Sequence, residues 1–154
     1  MIVVSDTSAI TSLIQVGRIE VLAQLYGDIY IPQAVRIELF QTPPSLPAFI
    51  HTRGAASESD VRRLCAELDL GEAEAIILAK EMAADYLLID ESVGRQIAIR
   101  EGVKVIGLLG VLLEGKERGH ILSVREVTTD LETIAGFRVS EAVKHIIFRG
   151  AGEA

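Results

Sequence analysis

Four short apolar runs constrain this chain most: Ile2-Val3-Val4, Ile29-Tyr30-Ile31, Tyr86-Leu87-Leu88-Ile89 and Val103-Lys104-Val105-Ile106. Each is short, apolar and nearly continuous, as strands buried on both faces are. Helical patterns separate them. Thr7 to Val16 and Arg18 to Leu25 follow the first run, and Pro32 suits the opening of a helix that runs to about Phe40. Ser57 starts another helix, and Gly71 separates it from Glu72 to Ala84, where Ala75, Ile76, Ala79 and Ala83 form a stripe. Ser92 caps a helix to Arg100, and Leu108 to Glu117 forms the next. Ser123-Val124-Arg125-Glu126 reads as a capping box, and Ser140 caps the last helix. Strands alternating with helices give the α/β class, three layers with a central parallel sheet.

The chain has 154 residues, 49% of them hydrophobic. That predicts one domain, 1–154, able to bury about 70% of its unfolded surface. From about 123 onward, the C-terminal helices pack on the core or form an interface. Three of the four prolines fall between Thr42 and Pro47, so the stretch through Gly54 reads as an irregular surface segment. Cys65 is the only cysteine, which excludes a disulfide scaffold, a thiolate zinc site and a CxxC redox centre; it reads as a buried helix residue. The longest glycine-tolerant apolar run, Val105 to Leu113, is about half a membrane span. Met1 to Asp6 has no basic region and reaches an acid at once, so the expected location is cytoplasmic, with no membrane partner. A net charge of −7 argues against a charge-driven nucleic-acid coat, though not against a nucleic-acid enzyme that brings its own metal.

The acids fall in an informative place. Asp6 follows the first run and Asp90 the third, and in an open α/β sheet ligands bind beyond the carboxyl ends of the strands. Glu38 lies between Ile37 and Leu39, and Glu72 and Glu74 open an alanine-rich helix. Each has an ordinary explanation as a helix cap, dipole partner or solvated side chain. Together, carboxylates converging on one sheet edge call for a cation. Oxygen donors without His or Cys point to Mg²⁺ or Mn²⁺ rather than zinc. His51, His120 and His145 are too scattered for a triad or a zinc cluster. No GxGxxG and no Walker lysine is present, and Lys104, inside the fourth run, is misplaced for a receiver-like regulator.

These residues resemble the PIN-domain family, the small metal-dependent ribonuclease fold that includes VapC-type toxins. The matching pieces extend to about Glu117: Val3-Val-Ser-Asp-Thr-Ser-Ala-Ile10, Ile31-Pro-Gln-Ala-Val-Arg-Ile-Glu-Leu39, Leu70-Gly-Glu-Ala-Glu-Ala-Ile-Ile-Leu-Ala79 and Leu87-Leu-Ile-Asp-Glu-Ser-Val-Gly-Arg95. Gly102 to Gly107 and Gly110 to Leu113 complete the match. The version is similar to a subgroup of predicted PIN nucleases with a Ser-Asp-Thr-Ser opening. The resemblance implies a metal-dependent endoribonuclease with Asp6, Glu38, Glu72 and Asp90 as catalytic acids. Asp6, Glu38 and Asp90 would hold Mg²⁺ or Mn²⁺, and Glu72 would be a further ligand or orient the water. Ser8 and Arg95 would serve the substrate side. Two departures stand: Glu72 replaces the usual Asp with Glu74 two residues on, and Leu88-Ile89 precede Asp90 where Thr or Ser is common, with Glu91 beside it. The implied partners are RNA, a cognate antitoxin and a second copy of the chain. The alternative is a PIN-like module that binds RNA or protein without cutting.

Overall fold

The computed structural model describes residues 1–40 and 46–154. Its elements run β1 (Val3–Ser5), α1 (Thr7–Gln15), α2 (Glu20–Tyr26), β2 (Ile29–Ile31), α3 (Gln33–Phe40), β3 (Ile50–Thr52) and α4 (Glu58–Leu64). They continue with α5 (Leu70–Glu81), β4 (Tyr86–Leu88), α6 (Ser92–Arg100), β5 (Val105–Ile106), α7 (Leu108–Glu117), α8 (Val124–Thr133) and α9 (Glu141–Gly150). All strand pairings are parallel, in the order β3-β2-β1-β4-β5. Among the described residues, no helix is long and apolar enough to cross a membrane.

The three-layer arrangement follows from strand alternation. Val3 points into one apolar cluster and Val4 into the other. The first cluster joins Ile29, Ile31 and Leu88 to Ile10 and Leu13 of α1, Leu22 of α2, Val111 of α7 and Leu131 of α8. The second joins Leu87 and Ile89 to Val61 and Leu64 of α4, the alanine-rich α5, and Ile97 of α6. Strands this short are stable only because both faces are covered.

Several sequence expectations need correction. The segment around His51 is not wholly irregular: Ile50–Thr52 adds a fifth strand at the sheet edge, in register with Ile29–Ile31. Thr42 to Ser45, in the proline-rich part, lies outside the described residues. Gly71 does not separate two helices but sits inside α5, whose cap is Asp69. Nor is α5 an amphipathic stripe, since Ala73 and every residue from Ala75 to Ala79 are buried. Glu91, not Ser92, caps α6, accepting the N–H groups of Val93 and Gly94. Ser123 accepts from Glu126 N, but the return bond that would complete a capping box is absent. The N–H groups of Val124 and Arg125 go instead to Glu153. Cys65 is exposed at the C-cap of α4 rather than buried. In α9, Phe148 is buried and Ile147 packs on the core, whereas Val143 and Ile146 face outward.

Candidate functional site

The order β3-β2-β1-β4-β5 places a switch point between β1 and β4. The chain leaves β1 toward β2 and β3, then returns to the other side of β1 for β4. Such crevices, at the carboxyl ends of the strands, are where open α/β sheets bind ligands. Ser5 is level with Leu88, and Asp6 N donates to the Leu88 carbonyl at 3.1 Å. Asp6 and Asp90 are thus brought to neighbouring strand ends despite their separation in sequence.

Each acid is fixed by local structure. Asp6 caps α1 with Oδ1, which accepts Thr7 N at 2.6 Å, and only 7% of the residue is exposed. Thr7 also donates its hydroxyl to Oε2 of Glu38 at 2.6 Å, tying α3 to the end of β1. Glu72 shares a capping box with Asp69: Asp69 Oδ1 accepts Glu72 N at 2.8 Å, and Glu72 Oε1 accepts Asp69 N at 3.3 Å. Asp90 reaches across to α7, where Leu108 N donates to its two oxygens at 3.0 and 3.2 Å.

Glycines make the close approach possible. A Cβ on Gly71 would lie 2.8 Å from Glu38 Oε1, and one on Gly94 would lie 3.3 Å from Glu72 Oε2. A Cβ on Gly107 would lie 2.9 Å from Asp90 Oδ1 and 2.6 Å from Arg95 Nη1. Three of the four acids therefore rest against a backbone position without a side chain.

The electrostatics are those of a site that wants a cation. Burial pushes the Asp6 carboxyl up to about 6, and repulsion by Asp69, Glu38 and Asp90 adds to it, against the Thr7 N–H. Glu72 is pushed up to about 7, by burial first and then by Asp69 and Asp6. Burial raises Asp90 as well, with Leu108 N–H and the Arg95 guanidinium pulling the other way. Among the described residues, Asp6 Oδ2 and Glu38 Oε1 receive no hydrogen bond, so each of these two acids is anchored by one oxygen and offers the other, whereas the Glu72 carboxyl also bonds the Asp69 side chain.

No three acids among the described residues are drawn into a ready coordination sphere. That is compatible with Mg²⁺ or Mn²⁺ chemistry. Mg²⁺ keeps several waters and is held by one or two carboxylates plus substrate phosphates rather than by an all-protein cage. The donor set, carboxylate oxygens alone, fits a hard divalent ion.

The rival acids are occupied elsewhere. Both oxygens of Glu91 accept N–H groups of α6. Glu74 accepts Ala34 N and lines a different groove, with Gln33 and Arg62. Ser8 is exposed and, among the described residues, bonds neither Asp6 nor Glu38; the hydroxyl that bonds Glu38 is that of Thr7. Arg95 is half-buried, its Nη1 donating to the Ile89 carbonyl at 3.2 Å. Sequence reading passed over Asp69 and Thr7. Asp69-Leu-Gly-Glu72 carries the spacing of a capping box, and that signal could have found Asp69.

A family model described as PIN domain matches residues 2–153. PIN domains are generally nucleases that use divalent metals and bind RNA. No curated protein matches the chain at a significant level. By the match of its sequence and by its parallel sheet with acids at the switch point, the chain belongs to the PIN-domain family and has that family's nuclease-type fold.

Proposed function

We propose that the protein is a metal-dependent endoribonuclease that hydrolyses RNA phosphodiester bonds, working in the cytoplasm as the toxin of a toxin–antitoxin pair. One observation supports the catalytic reading: beside the switch point, burial and repulsion by Asp69, Glu38 and Asp90 hold Asp6 at about 6, and burial and repulsion by Asp69 and Asp6 hold Glu72 at about 7. Such a cluster is relieved either by protonation or by a bound cation, and a divalent ion relieves it at neutral pH. Asp6, Glu38 and Asp90 hold Mg²⁺ or Mn²⁺ in this reading. When bound, the ion acidifies the attacking water and offsets charge developing on the phosphate. Glu72 orients the water and takes its proton at Oε2, and a carboxyl titrating near neutral pH suits that task. Ser8, exposed beside the site, and Arg95, beside Asp90, face the RNA. The antitoxin and a second copy of the chain remain part of the proposal on family resemblance alone.

The test is a manganese titration by calorimetry beside cleavage of a fluorogenic RNA, with Asp6→Asn and Asp90→Asn as variants. Metal binding and cleavage in the wild type, both lost in the folded variants, support the reading. Absence of cleavage in a wild type given both RNA and Mn²⁺ would falsify it, in favour of a module that binds without cutting.

A further inference from the structure

Asp90 is also the inner end of a groove of about 620 Å³ lying between α6 and the segment that joins α8 to α9. Arg95 and Gln96 form one wall, and Arg138 and Ser140 the other. Six of the other thirteen lysines and arginines are committed to carboxylates: Arg63, Lys80, Arg100, Lys116, Arg118 and Lys144. Arg95 gives one N–H to a carbonyl and, among the described residues, has no carboxylate within ion-pair distance. Arg138 is exposed, and among the described residues it has no hydrogen bond or ion pair. A chain of net charge −7 thus places two guanidiniums, neither in an ion pair with a carboxylate among the described residues, in one groove that Asp90 also lines. Beside them, Ile99 (61% exposed) and Val143 (41%) present apolar surface.

We propose that this groove is a subsite for single-stranded RNA flanking the cut phosphate, with Arg95 and Arg138 on backbone phosphates and bases against Ile99 and Val143. The proposal rests on the ribonuclease reading and extends it to the segment between α8 and α9. Charge complementarity selects the occupant. Guanidinium forks match phosphate oxygens, and a groove with cations along its walls tracks a backbone. A protein segment would need an acidic side chain placed at each guanidinium, whereas a nucleic-acid strand brings a phosphate with every nucleotide.

The test uses a fluorescein-labelled, mixed-sequence 12-nucleotide RNA, with binding read by anisotropy as a function of salt in an Asp6→Asn background. For single strands, log K falls with log salt by about 0.7 per phosphate contact. Arg138→Ala is expected to weaken binding roughly five- to tenfold at low salt and to flatten that slope by about 0.7. Arg138→Lys is expected to restore the slope. An affinity and slope indifferent to Arg138→Ala, in a variant that melts like its parent, overturn the proposal and leave the groove to a protein partner. Failure to bind the RNA at low salt overturns it too. The outcome is separable from the catalytic reading. Cleavage abolished by Asp6→Asn with Arg138-independent binding removes only the subsite. Arg138-dependent binding with cleavage unaffected by Asp6→Asn removes only the assignment of the acids.

Discussion

Asp6→Asn is expected to stabilise the metal-free protein while removing its metal site. The carboxyl is 7% exposed and titrates at about 6 in the fold, against 3.8 as a free side chain. A group raised in this way leaves its contribution intact below pH 3.8 and loses it as pH rises through 6. At pH 8 the ionised Asp6 therefore costs about 3 kcal/mol, at 1.36 kcal/mol per pH unit. Asparagine does not ionise, and it keeps an oxygen for Thr7 N, so the cap of α1 survives. In EDTA at pH 8 the variant should exceed the wild type by about 3 kcal/mol in urea unfolding, or roughly 6–12 °C in Tm for a chain of this size. At pH 4 the advantage shrinks to about half a kcal/mol, because the folded wild type is then protonated. Adding Mn²⁺ at pH 8 should stabilise the wild type and leave the variant unmoved. A variant no more stable than wild type at pH 8 in EDTA refutes the claim that Asp6 is held ionised against its environment.

Three further outcomes follow from the same geometry. Gly107→Ala puts a Cβ 2.9 Å from Asp90 Oδ1 and 2.6 Å from Arg95 Nη1 while its backbone (φ −98°) tolerates alanine, so a folded protein with Mn²⁺ affinity reduced roughly 10- to 100-fold is expected by calorimetry. Cation binding at pH 6 should release protons, since Asp6 at about 6 and Glu72 at about 7 are then partly protonated; titrations in buffers of different ionisation enthalpy read the number, and a value of zero contradicts the cluster. Glu153 accepts Lys116 Nζ and the N–H groups of Val124 and Arg125, which outweigh its burial and hold it at about 2, so Glu153→Gln should cost about 1.5–3 kcal/mol near neutral pH by urea unfolding. The wild type should lose that margin only on acidification from about 4.5 toward 2.

The sheet and most helices were legible because their cause is local. Short apolar runs buried on both faces announce themselves, and Pro32, Ser57 and Ser140 mark helix starts by their own chemistry. What was not legible depends on distant partners. Ile50-His51-Thr52 holds a single buried residue, and its strand character comes from pairing with Ile29–Ile31 rather than from its own pattern. Gly71 looked like a helix break because glycine usually is one; inside α5 it is kept where a Cβ would strike Glu38. The Ser123 box failed because Glu153, from the far end of the chain, takes the neighbouring N–H groups. In the site, Asp6 and Asp90 were readable from their places after apolar runs. Thr7 was not, because its choice of Glu38 over solvent is a tertiary fact.

The site's construction explains why four acids tolerate one another at all. Every carboxylate is fixed by a backbone N–H or a hydroxyl: Thr7 N for Asp6, Thr7 Oγ1 for Glu38, Asp69 N for Glu72, Leu108 N for Asp90. Among the described residues none is paired with a lysine or arginine in a salt bridge, although the chain has fifteen such residues. Neutral donors orient a carboxylate without cancelling its charge, whereas a guanidinium would orient it and cancel it together. The cluster therefore stays geometrically set and electrostatically unsatisfied, which is the state a divalent ion can relieve. The same reasoning applies to Arg95: close enough to Asp90 to lower its pKa, yet bonded to the Ile89 carbonyl rather than to the carboxylate, it leaves the negative charge in place, and its remaining N–H groups are those proposed above for RNA phosphates.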